Sequence, residues 1–287
     1  MKILVLGAGL VGSMAATTLR ERGHHITVTT TTPAKEAGLR ERFDDVAVLR
    51  GSDRDAVHAR VADADAVVVT AGPSAAQSMT PEERAVTYRE ILVTTAENVT
   101  SAPGSPHLVA LSALSVFGDA ADHLEVVTED SPVTDSDDPS PAMFLAMEAT
   151  YRDAAGDRAT IFRCGDVFGA DDPPVEAKIA MAHQYLGGSL PFCADALFYR
   201  LAVEDAADAI VHAVENRLVG TYNLTHPELP PTNQELFDTI SAAQGLPALT
   251  YRGEITAPAV PISVERLREA GFVARRSYVA HPLLAAH

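Results

Sequence analysis

The sequence has no tryptophan, only two cysteines, and 22 Lys+Arg against 39 Asp+Glu in 287 residues. Each shortage excludes something. Cys164 and Cys193 sit in apolar stretches without the spacing of a metal or redox motif, so they read as buried thiols of a reducing compartment rather than a disulfide framework. A formal net charge of -17 repels phosphate backbones and anionic lipid, so neither nucleic acid nor a membrane is an expected partner. The carboxylates are spread along the whole chain, which describes a solvated surface and not an acidic tail. No apolar run approaches the ~18 residues of a membrane helix, and the first residues lack a signal-peptide layout, so the expected location is the cytoplasm. His183, His212 and His226 have no partner spacing, and no metal is expected. The oligomeric state is left open.

What is present is a chain that is 47% hydrophobic, ample for a packed core. Short apolar runs at Lys2 to Leu6, His25 to Thr30, Val46 to Leu49, Ala66 to Thr70, His107 to Leu111 and Thr160 to Phe162 read as strands. Helical patterns separate them near Leu10 to Arg22, Asp55 to Val61, Pro81 to Val99 and Pro141 to Ala155. Strand and helix in turn predict an α/β fold, a doubly wound parallel sheet of Rossmann type covered on both faces. After Gly165 the rhythm loosens at Pro173-Pro174, Gly187-Gly188, Pro191 and Pro230-Pro231. The expected organisation is a dinucleotide-binding domain over residues 1–165, with 199–225 returning to it, and a smaller C-terminal substrate-binding cap from 166–198 and 226–287.

Gly7-Ala8-Gly9-Leu10-Val11-Gly12 follows an apolar strand and opens a helix, the context that makes G-x-G-x-x-G informative. Gly7 allows a tight turn, Gly9 lets backbone approach a pyrophosphate, and Gly12 lets helix pack on strand. The amides of the first helical turn, at Leu10 and Val11, then face the phosphates. About 20 residues on, an NAD site carries an acid for the ribose 2′-hydroxyl. Here Thr29 to Thr32 and Pro33-Ala34-Lys35 contain none. Thr30, Thr31 and Lys35, with Arg40 nearby, are the candidates to hold a 2′-phosphate, which makes NADP(H) the expected cofactor and NAD(H) the alternative. Lys35 is otherwise a solvated loop charge.

Further stretches resemble the extended short-chain dehydrogenase/reductase family, the group of sugar-nucleotide epimerases and dehydratases. Ala71-Gly72 looks like the family's turn against the cofactor. Val116-Phe117-Gly118 is similar to its V-Y-G, Arg163 with Val167-Phe168-Gly169 to its second R-x-x-x-V-Y-G, Arg200, Val203 and Asp205 to R-x-x-x-V-x-D, and Tyr222-Asn223-Leu224 to its late strand. The resemblance implies a Rossmann fold, a nicotinamide cofactor also touched by Cys164 and Val167, and substrate contacts at Tyr185, Tyr199 and Arg200. The departures matter more. The family's Ser/Thr falls on Ala113, and its Tyr-x-x-x-Lys pair on Met143 and Met147, or on Phe144 and Glu148 with a one-residue slip. In the family that tyrosine exchanges a proton with the substrate oxygen, a task no thioether performs. The pattern resembles atypical members that reduce ketones of aromatic polyketides, the angucyclinone reductases among them.

Ser112 and Ser115 flank the empty serine position as possible hydrogen-bond donors to a carbonyl, unless strand alternation turns them elsewhere. Phe117, Met143, Phe144, Met147, Met181, Phe168, Phe192 and Phe198, with Tyr185 and Tyr199, are candidates to line an apolar pocket for a polycyclic aromatic substrate, or are simply core. The expected function is an NAD(P)H-dependent ketoreductase whose proton comes from the substrate. The competing reading is a non-catalytic NADP sensor that regulates a partner.

Overall fold

The computed structural model describes residues 1–73, 80–136, 138–170 and 172–276. Its strands are β1 (Lys2–Leu6), β2 (His25–Thr30), β3 (Asp45–Val48), β4 (Ala66–Val69), β5 (His107–Ala113), β6 (Ala159–Cys164), β7 (Asp166–Phe168), β8 (Ser189–Phe192), β9 (Arg200–Ala202), β10 (Gly220–Leu224) and β11 (Thr250–Ile255). Seven of them form one parallel sheet in the order β10-β6-β5-β4-β1-β2-β3. This is a Rossmann-type α/β fold. The order reverses between β1 and β4, which opens a crevice beyond their carboxyl ends, the place where doubly wound sheets bind ligands. Central strands are covered on both sides and so are apolar throughout: Ala66 to Val69 are all buried.

The helices are α1 (Leu10–Glu21), α2 (Glu36–Arg40), α3 (Arg54–Val61), α4 (Pro81–Tyr88), α5 (Thr95–Ser101), α6 (Pro139–Ala155), α7 (Val175–Leu186), α8 (Val203–Asn216), α9 (Asn233–Ala243) and α10 (Glu265–Glu269). On one face of the sheet α1 and α8 pack together through Ala15, Ala16, Leu19, Ala206, Ala209 and Ile210. The small side chains let the two helices approach closely. On the other face Val57, Leu92, Val99, Met147 and Tyr151 close a second core. Away from the sheet α7, α9, β8 and β11 gather Ile179, Leu190, Leu236, Phe237 and Ile240 into a separate cluster beneath the site.

Several expected boundaries shift. β3 begins one residue earlier than expected and ends at Val48, and β5 and β6 run on to Ala113 and Cys164. The strand expected near Tyr199 is β9, which pairs with β7 in a small two-stranded sheet, so only β10 adds to the edge of the main one. Helix Pro81 to Val99 is not uniform. Thr80 and Glu83 form a reciprocal capping box that starts α4, and a π-helical turn over Arg89–Thr94 separates α4 from α5. Residues 277–287 of the expected cap lie outside the described residues. No described helix is long and apolar enough to cross a membrane.

Candidate active site

The glycine loop lies at the crevice. Gly7 has φ +107°, a conformation open to glycine, and its amide donates to the Thr29 hydroxyl at 3.0 Å while Thr70 Oγ1 donates to the Gly7 carbonyl at 2.8 Å. The threonine run therefore begins by holding the loop: Thr29 and Thr30 are buried, whereas Thr31, Thr32 and Lys35 face outward. A Cβ on Gly12 would overlap the Gly7 carbonyl and Thr70 Oγ1, so glycine there lets α1 approach β1. A Cβ on Gly9 would meet nothing within 4 Å. Gly9 caps α1 without any side-chain hydrogen bond, leaving the amides of Leu10 and Val11 for an anion. What these two residues offer there is backbone, since the Leu10 side chain is exposed and that of Val11 packs on the core.

From this loop a cavity of about 460 Å³ runs past Thr30, Thr31, Thr32, Lys35, Arg50, Ser52, Ala71, Gly72 and Glu90. Turn, open Gly9 face, uncapped helix and elongated groove fit a nicotinamide dinucleotide. Lys35 has no ion pair among the described residues, but Arg40 is held by Glu36 at 2.7 Å and by the Val46 carbonyl at 3.1 Å, so it does not serve the groove. Arg50 does line it, with Glu90 at 3.9 Å as its nearest carboxylate. Sequence reading missed Arg50, Ser52 and Glu90, because they come from loops and a helix that no motif marks.

A second cavity, about 500 Å³, shares Thr70, Ala71 and Gly72 with the first. Its wall is largely apolar: Leu111, Ala113, Phe144, Val167, Phe192, Leu197, Phe198, Ile255 and Ile262, with Thr70, Tyr88, Ser112, Ser115, Cys164, Asp166, Tyr199, Asn233 and Thr256 as the side chains bearing heteroatoms. Phe144, Phe192 and Tyr199 thus stand where a substrate pocket was expected. Cys164 and Val167 stand in this second cavity and not in the dinucleotide groove. Burial pushes the Cys164 thiol up to about 12, which makes it inert.

Other expected pocket residues are elsewhere. Met147 is buried on the face of α6 that also buries Tyr151 and Ala155, at i, i+4 and i+8, and Met143 packs half-buried against the same core. Phe117 is wholly buried, with the Arg163 guanidinium 4.9 Å above its ring. Phe168 lies under Arg200 at 4.6 Å, and Met181 and Tyr185 are exposed on α7. Ser112 is also removed from the expected role. Its buried hydroxyl donates to Glu148 Oε1 at 2.6 Å, so it is committed to the core. Tyr199 accepts the Ile262 amide at 2.8 Å, and burial raises its phenol. Arg200 is buried between Asp166 and Asp172, at 3.2 and 2.7 Å. Burial raises the Asp166 carboxyl above its ordinary value, against the pull of Arg200. Among the described residues no group of three His, Cys, Asp or Glu is arranged to hold a metal.

These features, a G-x-G-x-x-G turn at the switch point of a parallel sheet opening onto an apolar cavity, define a nucleotide-dependent enzyme of the short-chain dehydrogenase/reductase type. The chain belongs to the NAD dependent epimerase/dehydratase family, whose model matches residues 3–225. It is accordingly an NAD(P)-dependent enzyme of oxidoreductase/epimerase type. The fold is shared with the UDP-glucose 4-epimerase of Thermus thermophilus in complex with NAD, at TM-score 0.74 and 21% identity over 97% of this chain and 95% of that one. It is shared with a short-chain dehydrogenase/reductase superfamily protein of Agrobacterium tumefaciens with bound NAD, at TM-score 0.74 and 19% identity over 96% and 93%. WbmH of Bordetella bronchiseptica, in complex with NAD+, superposes at TM-score 0.70 and 21% identity over 93% and 90%. A comparison with curated proteins by sequence gave no match.

Proposed function

We propose that this enzyme is a ketoreductase that uses NADPH, with NADH as the weaker alternative, to reduce a ketone on a polycyclic aromatic polyketide. An angucyclinone-type ketone such as that of 7-oxo-simocyclinone, in antibiotic biosynthesis, is the specific candidate. The observation that carries this reading is the apolar cavity joined to the dinucleotide groove at Thr70 to Gly72. Bound nicotinamide would supply a hydride.

The chain's own groups argue for a neutral, flat substrate and against a nucleotide sugar. Phe144, Phe192 and Phe198 offer aromatic faces and edges. Arg200, next in the chain to the cavity-lining Tyr199, already faces two carboxylates, and a substrate diphosphate would have to displace them. Ala113, Met143 and Met147 supply no proton, so the alcohol takes its proton from a phenol beside the ketone, which water then restores. The residues left to act exclude water and align the carbonyl, and proximity of this kind is worth several powers of ten in rate.

The test is NADPH consumption with aromatic polyketide ketones and with the same compounds methylated at the neighbouring hydroxyl. Turnover of the free phenol and loss with the methyl ether, at retained binding, is the expected result. No consumption by a protein that binds NADPH would overturn the ketoreductase reading and leave the sensor. Equal turnover of the methyl ether would overturn the substrate-derived proton.

A further inference from the structure

Tyr88 is the last residue of α4, directly before the π-helical turn, and it lines the apolar cavity. Its half-buried ring stands edge-on to Phe144 of α6, with centroids 6.3 Å apart and planes at 85°. The Tyr88 hydroxyl makes no hydrogen bond among the described residues, so its donor is open to a ligand in the cavity. π turns inside helices occur frequently at functional sites, because the extra residue re-aims the side chains beside it.

The other hydroxyls of the cavity are less suited to hold a substrate oxygen. Ser112 donates to Glu148 and Thr70 to the Gly7 carbonyl, while Tyr199 is 8% exposed and its oxygen accepts the Ile262 amide, which anchors that ring. The Ser115 and Thr256 hydroxyls make no hydrogen bond among the described residues, but an aliphatic hydroxyl is a weaker donor than a phenol. Position 113 is alanine and position 143 methionine.

We propose that Tyr88 donates the hydrogen bond that holds the ketone oxygen during reduction, from α4 and against Phe144, beside the α6 position where the resemblance places the family's tyrosine. The inference rests on the ketoreductase reading. When hydride reaches the carbonyl carbon, the C=O π pair moves onto oxygen, and the Tyr88 O–H faces the growing negative charge. Tyr88 keeps its proton. The alkoxide is protonated by the neighbouring substrate phenol, and water returns that proton.

Tyr88→Phe removes the hydroxyl and keeps the ring against Phe144. The probe is a hydroxyanthraquinone with its hydroxyl beside the carbonyl, followed by NADPH oxidation in wild type, Tyr88→Phe and Ser115→Ala. Melting temperature and NADPH affinity should be unchanged in Tyr88→Phe, while kcat falls by about ten- to a thousandfold with a smaller change in KM, as for loss of one oxyanion donor. Binding of the same quinone in the presence of NADP+, read by fluorescence quenching, should weaken several-fold. A kcat for Tyr88→Phe within about twofold of wild type overturns the assignment, as does a loss confined to Ser115→Ala. If wild type binds the quinone but oxidises no NADPH, the ketoreductase reading fails, and the binding comparison still decides the contact: equal binding overturns it, and weaker binding by Tyr88→Phe supports it.

Discussion

Glu148 and Arg163 form a wholly buried two-point ion pair, Nε to Oε1 at 3.0 Å and one terminal nitrogen to Oε2 at 2.7 Å. Ser112 and, at 3.6 Å, the half-exposed Arg152 also meet the carboxylate, and the second terminal nitrogen donates to the Glu129 carbonyl at 3.2 Å, so each guanidinium nitrogen donates once and the group stacks on Phe117. The pair ties α6 to β6. Removing Glu148 leaves the buried Arg163 guanidinium without a carboxylate. Glu148→Ala should therefore destabilise the protein by about 3–5 kcal/mol, read as a shift of the urea midpoint, whereas Glu148→Ala combined with Arg163→Met should cost less than the sum of those two single changes. Strict additivity would show that the pair is not coupled.

Gly9→Asp should abolish NADPH binding and leave the fold intact. The new Cβ meets no protein atom within 4 Å, so nothing in the loop clashes, but a carboxylate would occupy the approach of the pyrophosphate and repel it. Fluorescence titration and circular dichroism check the two halves. Near wild-type affinity in this variant places the phosphates elsewhere.

NADP(H) should bind more tightly than NAD(H), because no carboxylate stands at Thr30 to Thr32 and two cations, Lys35 and Arg50, line the groove beside them. Both are exposed, so each contact is screened, and Lys35→Ala or Arg50→Ala should weaken NADPH by roughly fivefold while sparing NADH. Calorimetry at matched salt decides this. Equal loss for both cofactors would mean that neither cation reads the 2′-phosphate.

Two apolar residues on the expected substrate list should separate by readout. Met147→Ala opens a cavity beneath the sheet and should cost about 2–5 kcal/mol of stability. Phe192→Ala lies at the half-open rim of the cavity and should leave the melting temperature nearly unchanged while raising KM for an aromatic ketone. A large loss of stability in Phe192→Ala would place it in the core.

Some of this protein was determined locally, by the sequence itself. Apolar runs bounded by turns made β1, β2 and β4 legible nearly to the residue, and the glycine spacing in front of α1 marked the phosphate loop, because each depends on backbone requirements of adjacent residues. The sequence also carries Met143 and Met147 where the resemblance expects a tyrosine and a lysine. Periodicity marks which side chains turn inward, but only packing decides whether inward means core or cavity. That is why Phe117, Met143 and Met147 were indistinguishable from Phe144 and Phe192 until α6 was laid on the sheet. The pairing of Ser112 with Glu148, 36 positions apart, and the meeting of Tyr88 with Phe144 across two helices depend on long-range registers that no local spacing encodes. Tertiary structure alone decided which heteroatoms are committed to the fold and which remain for a ligand, since a hydrogen bond already made inside the protein is a donor lost to the substrate.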